Sequence, residues 1–263
     1  MLKENERKNV VIISDCKDIA YNEMRAVILK EIKRYGGENR ILVEPLVPVK
    51  EMSVINCSFS LRLMAEIYEP KETVFVIVVN PLKIKGEKLV GETENGFKFV
   101  SGNTGAINWL IEDFGIKELY QIKDKGFLPF GGKYSNSPLA AKISCGKKLS
   151  TLGDRVGKKI LRPLEMCAGT IVHIDNFGLI KFKGKLDSFK EGDNLDIFVN
   201  GKKKIVAIFS ERMMNKEDGV WVLYKGSSLN GMPELGKVRD PQGAEKLGVK
   251  IGDVITWKLN KAL

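Results

Sequence analysis

The run at residues 73–79, TVFVIVV, limits the fold more than any other stretch of this chain. It is apolar after Thr73 and mostly β-branched, with no alternation between polar and apolar positions. A strand of that kind needs cover on both faces, which a parallel sheet flanked by helices supplies. The turn Glu69-Pro70-Lys71-Glu72 feeds it, and Asn80-Pro81 ends it, because Pro81 has no N–H to give to a ladder. Open α/β sheets bind ligands beyond the carboxyl ends of such strands. Asn80 therefore stands where a catalytic or binding side chain is expected, with a plain turn residue as the competing reading.

The preceding sequence follows the same logic. Residues 9–15 (NVVIISD) form a second buried strand that ends in polar residues. Residues 18–35 then show helical spacing through Ile19, Met24, Val27, Ile28 and Ile32, with Ser14 or Asp15 as cap and Gly36-Gly37 as stop. A strand at 41–49 is interrupted by Pro45 and Pro48, and a helix at 52–67 leads into the central run. This β-α-β-α-β order predicts an α/β domain over residues 1–150, built on a doubly wound, mainly parallel sheet. Within it, residues 88–100 form a hairpin turning at Glu94-Asn95-Gly96. The loop Ser101-Gly102-Asn103-Thr104-Gly105 precedes a further helix, a place where a polar ligand can sit. Residues 151–168 read as a linker. Residues 169–263 hold short strands with close turn signals, which predicts an all-β, barrel-like second domain.

With 43% hydrophobic and 29% charged residues among 263, the chain has the composition of a folded protein. The polar N-terminal residues lack the apolar core of a signal peptide, and no apolar stretch is long enough to span a bilayer. Cys16, Cys57, Cys145 and Cys167 are scattered, which argues against a disulfide framework or a zinc site. The expectation is a soluble cytoplasmic protein with no metal and no membrane partner. The net charge of +10 admits nucleic acid as a partner. The lysines are spread along the chain, however, which favours a solvated surface. The one histidine, His173, lies in an apolar strand, where a packed role outweighs a catalytic one. Walker A, GxGxxG and GxSxG patterns are absent from the sequence. Asp15 and Asp18, at the end of the first strand, are better candidates, since carboxylates there accept hydrogen bonds from ribose hydroxyls.

Several motifs in the same order resemble one family, the S-adenosyl-L-methionine (SAM) hydroxide adenosyltransferases, grouped with the SAM-dependent fluorinases and chlorinases. Ser14-Asp15-Cys16-Lys17-Asp18 through Ile28 resembles that family's TDFGxxDxYVGxMKGVI, two loop residues shorter. Residues 68–84 resemble FPKGTIHVVVVDPGVG, 99–107 resemble FVAPDNGLL, and 130–141 resemble FHGRDxFAPVAA. In the second domain, 169–179 resemble GxVxxIDxFGN and 248–254 resemble LGxxxGDxV. The resemblance implies an α/β domain, a C-terminal β-barrel and a homotrimer binding SAM between subunits. It also implies displacement at the ribose C5′ of SAM by water, giving adenosine and methionine, with no cofactor beyond SAM as substrate or ligand.

The departures from the family fall at its catalytic positions. Its Asp falls on Asn80, its Arg on Glu87 or Lys88, and its His on Gly131. The halide-contacting Ser of the halogenases falls on Gly132, and the Asn of FGN on Leu179. An amide cannot act as a general base, and glycine has no proton to transfer. The resemblance therefore implies an altered site, with Asn80, Lys88, Lys133 and Tyr134 as catalytic candidates. Its ligand-binding candidates are Asp15, Asp18, Asn103, Thr104, Asp175 and Asn230. Two alternatives stand beside SAM hydrolysis: a non-catalytic protein binding SAM or an adenosine compound, and a basic nucleic-acid-binding module.

Overall fold

The computed structural model describes residues 7–79, 86–123, 126, 129–186 and 188–260. Asn80 lies outside the described residues. The chain forms two compact units, Met1–Leu164 and Glu165–Leu263.

The first unit begins with β1 (Lys8–Ser14), α1 (Ile19–Arg34), β2 (Ile41–Val43), β3 (Val47–Pro48) and α2 (Val54–Ile67). It continues with β4 (Thr73–Val78), β5 (Lys88–Glu92), β6 (Lys98–Gly102), α3 (Asn108–Phe114), β7 (Glu118–Ile122), α4 (Ser137–Ser144) and β8 (Asp154–Arg155). The sheet order is β2-β1-β4-β6-β5-β7-β8, with β3 also pairing β1. The β-branched run of β4 sits between β1 and β6, parallel to both. Alternate residues of β1 and β4 serve opposite faces. Val10, Ile12, Val74 and Val76 pack with Met24, Ile28 and Ile32 of α1 and with Ala140 and Ile143 of α4. Val11, Ile13, Phe75 and Ile77 pack with Leu61 and Ala65 of α2 and Leu110 of α3. Burial on both faces explains why this run shows no polar position after Thr73.

The expectation of a mainly parallel sheet is corrected to a mixed one. β5 pairs antiparallel with β6 and β7, and β7 pairs antiparallel with β8. The cause is the short connection at 93–97: the Thr93 N–H donates to the Phe97 carbonyl, and a loop this tight joins only antiparallel strands. The capping expectation also shifts. α1 is capped by Asp18, whose carboxylate accepts the Ala20 N–H at 3.0 Å, rather than by Ser14 or Asp15. Residues 154–162, expected within a linker, run along the first unit. Arg155 pairs with Tyr120, and Asn103 bonds to Ile160 and Arg162.

The second unit holds β9 (Ile171–Ile174), β10 (Ile180–Phe182), β11 (Asn194–Val199), β12 (Lys202–Phe209), β13 (Trp221–Lys225), β14 (Pro233–Lys237), the short helix α5 (Gly243–Leu247) and β15 (Ile255–Leu259). Its sheet runs β15-β11-β12-β13-β14-β10-β9, antiparallel except for β12–β13. The edge strands are linked just outside their spans by an antiparallel bridge between Thr170 and Val254. Ile171, Phe182, Ile197, Leu223 and Leu235 form the core. Among the described residues, no helix is long and apolar enough to cross a membrane.

Candidate functional site

The carboxyl edge of the parallel strands is built from short-range bonds. Ser14 closes β1, and its hydroxyl donates to the Val78 carbonyl of β4 at 2.7 Å while accepting the Cys16 N–H at 3.0 Å. That double use ties the β1–α1 loop to the end of β4. Asp15 follows, half-buried, with Oδ2 accepting the Met52 N–H at 3.0 Å. A carboxylate offers about four acceptor sites, so Asp15 keeps lone pairs for a ligand. Asp18 is exposed, with one oxygen committed to the α1 cap. Cys16 beside it is no ready nucleophile, because burial raises its thiol pKa and the Asp15 charge adds to the effect.

A π-helical turn, Gly132–Asn136, lies over this edge, with Asn136 donating to the Ile77 carbonyl at 3.2 Å. A β-carbon on Gly132 would come within 2.8 Å of both Met24 Sδ and the Phe130 ring, and 3.1 Å from Val78. A side chain there would have to push Met24 and Phe130 aside. Gly131 is different. A β-carbon on it would meet Lys88 Nζ at 3.3 Å and nothing else nearer. The ammonium of Lys88 thus fills the space next to a position without a side chain. Asp15, Asp18, Lys88 and Gly131 consequently share one edge of the sheet.

The remaining candidates divide. Tyr134 is half-exposed and, with Lys88, lines a cavity of about 370 Å³. Lys133 turns to Glu23 of α1 at 2.5 Å, a contact that raises its pKa, and stands over the Tyr134 ring. Asn103 is buried and fully occupied. It donates to Glu87 at 3.1 Å and to the Ile160 carbonyl at 2.7 Å, and it accepts the Arg162 N–H at 3.0 Å. It clamps the 160–162 segment, and Asn108 adds a bond to the Arg162 carbonyl at 2.8 Å. Thr104 accepts the Ala106 N–H at the start of the next helical turn. Glu87 is held below the ordinary carboxyl range, first by its own backbone N–H and then by Asn103.

In the second unit, Asp175 is consumed by its own turn, with Oδ1 accepting the N–H groups of Phe177 and Leu179, both at 2.9 Å. Gly178 of that turn abuts Pro241, which follows β14, whereas Asn230 is exposed in the turn before β14. The two candidates therefore stand at opposite ends of that strand. His173 pairs with Lys181 across β9–β10, and burial, aided by that lysine, lowers its pKa.

Met52 and the cavity-facing residues Gln121, Ser135 and Lys142 were not legible in the sequence. Met52 takes a left-handed conformation (φ 55°) that methionine does not advertise. The cavity residues meet only because β7 returns antiparallel beside β5. Among the described residues, no group of three or more His, Cys, Asp or Glu side chains is placed to hold a metal.

A family model described as the N-terminal domain of SAM hydroxide adenosyltransferase matches residues 10–153. An (R)-S-adenosyl-L-methionine hydrolase from Methanocaldococcus jannaschii is 24% identical over 209 residues, spanning 74% of this chain and 77% of the relative. Two solved structures share the fold. An uncharacterized conserved protein from Thermotoga maritima has a TM-score of 0.79 at 23% identity, covering 95% of this chain and all of that one. A conserved hypothetical protein from Thermus thermophilus has a TM-score of 0.73 at 17% identity, covering 96% and 100%.

Proposed function

This chain belongs to the SAM hydroxide adenosyltransferase family, and from that premise we propose that it hydrolyses SAM at the ribose C5′ through an altered site. Water attacks C5′, the C5′–S bond breaks, and its electron pair goes to sulfur. Methionine leaves as a neutral thioether, and the water's proton passes to solvent. A sulfonium leaving group needs no acid, so the protein's task is chiefly to hold substrate and water in line. Asp15 accepts from the ribose hydroxyls. Lys88 orients the water from the space beside Gly131, with Tyr134, Asp18 and Thr104 as further candidate contacts in the same unit. The second unit is read as a closed barrel, supported by the Thr170–Val254 bridge. Assembly as a homotrimer with SAM at subunit junctions belongs to the same reading.

The observation carrying this proposal is that Asp15, with acceptor capacity to spare, and Lys88, with Nζ beside Gly131, stand at the same edge of the sheet. A second reading, SAM or adenosine binding without turnover, is favoured by Gly131 itself, because no side chain there can move a proton. Purified protein incubated with SAM separates the two: adenosine and methionine in equal amounts support hydrolysis, and intact SAM bound with measurable heat supports binding alone.

A further inference from the structure

We infer that the side chain of Met52 is the apolar contact for the nucleoside base of a ligand held at Asp15; this rests on the reading of Asp15 as the ribose contact and deepens it. Met52 takes φ 55°, the left-handed conformation that L side chains enter at a cost and that glycine or asparagine usually fills. Its N–H donates to Asp15 Oδ2 at 3.0 Å, a bond that any residue except proline can make. Backbone geometry alone therefore favours glycine at this position. Packing does not call for methionine either, because Met52 is 71% exposed. A strained backbone thus carries a large apolar side chain that the described chain leaves largely uncovered. Strain of this kind persists where the site itself uses it.

The place of that residue is fixed by its neighbours. The Val49 N–H donates to the Ser14 carbonyl at 3.1 Å, the Lys50 N–H donates to Asn56 Oδ1 at 2.7 Å, and Lys17 pairs with Glu51 at 2.8 Å. With the Asp15 bond, these contacts hold the turn before α2 against the β1–α1 loop. Ile19, which follows Asp18 at the start of α1, is 75% exposed. Ile19 and Met52 are the two most exposed large apolar side chains among the described residues, and each adjoins one of the two carboxylates. Apolar surface beside a few placed polar groups is the pattern of a small-molecule site. One hydrogen bond joins Met52 to Asp15, so a nucleoside whose ribose takes the remaining Asp15 acceptors lies beside Met52. The base is the flat, polarisable part of such a ligand, and a thioether makes favourable contacts with an aromatic ring.

Adenosine, which needs no turnover, is the probe, titrated into the full chain and two variants. Met52→Gly keeps the N–H for Asp15 and relieves the left-handed strain, so it should melt no lower than the parent. It should nonetheless bind adenosine roughly fivefold or more weakly, the scale of a lost apolar contact. Met52→Leu restores an apolar side chain and should keep most of the affinity. Oxidation by dilute hydrogen peroxide, read by peptide mass, gives a second measure. Adenosine should slow sulfoxide formation at Met52 and leave that at Met214 unchanged, since Met214 is 60% exposed in the second unit. Equal adenosine affinity in all three proteins, or equal oxidation of Met52 with and without saturating adenosine, would overturn the proposal. So would a Met52 that resists peroxide in the free protein, which would mean that a second copy of the chain covers it. The hydrolase reading fails on a different result, the absence of adenosine after incubation with SAM.

Discussion

Lys88 Nζ lies 3.3 Å from the point where a β-carbon on Gly131 would stand. A cation fills space that a side chain at residue 131 would otherwise enter. Removing it should cost turnover rather than binding: Lys88→Met is expected to lower kcat for SAM cleavage by about tenfold or more, with KM little changed. Gly131→His alone should not help, since the new ring must displace Lys88. Lys88→Ala with Gly131→His should regain activity over Lys88→Ala, because general-base assistance is worth roughly 10²–10⁴-fold. Steady-state kinetics on the four proteins checks the set.

Asp15 offers the opposite split. Its Oδ2 holds the Met52 N–H, and its remaining acceptors are assigned to ribose. Asp15→Ala should weaken SAM binding by roughly tenfold to a hundredfold, the cost of charged hydrogen bonds. Asp15→Asn keeps an oxygen for Met52 and should fall between. Calorimetry with SAM measures both.

The adjacent glycines should differ in stability. Ser at Gly132 would press on Met24 Sδ and Phe130 at 2.8 Å, with Val78 behind, and should cost about 1–3 kcal/mol, the usual penalty for overpacking. Gly131→Ala meets only the far end of a lysine and should be close to neutral. Urea midpoints of the two variants give the comparison.

In the second unit, Glu234 is buried between Lys181 of β10 and the Tyr224 hydroxyl of β13, which donates to it at 2.6 Å. Burial, then this bond, raises the Tyr224 pKa, so the phenol stays protonated as the donor. Glu234→Ala leaves Lys181 without its buried partner and should destabilise by about 3–5 kcal/mol. Tyr224→Phe should cost about 1 kcal/mol. Chemical denaturation followed by tryptophan fluorescence reads these changes.

Acid sensitivity has a traceable source at Glu191. Lys216 at 2.7 Å, then the Glu211 N–H, lower its pKa to about 2. Its folded pKa is below its unfolded one, so its contribution is complete above the ordinary carboxyl range and is lost as pH falls towards about 2. Lys216→Met should flatten the drop in melting temperature across that window, and an unchanged pH profile would contradict the assignment.

The β-branched run at β4 and the β-α-β-α-β order were legible because full burial on two faces leaves a compositional mark on each residue. The Glu94-Asn95-Gly96 turn was legible because few residues suit it; Gly96 has φ 107°. The antiparallel pairing of that hairpin with β7 was not, because it joins segments whose sequences do not name a partner. Asn103 looked like a ligand contact from its glycine-rich loop, yet its amide bonds to a carbonyl 57 residues away, a closure that local sequence cannot state. Asp175 likewise read as a site residue while its oxygen serves its own turn.

The most direct test is incubation of the purified protein with SAM in heavy-oxygen water, with the products weighed by mass spectrometry. Hydrolysis at C5′ predicts adenosine and methionine in equal amounts, with the heavy oxygen in the adenosine 5′-hydroxyl and none in methionine. No adenosine above the protein-free blank, or adenosine without the label, would contradict the account.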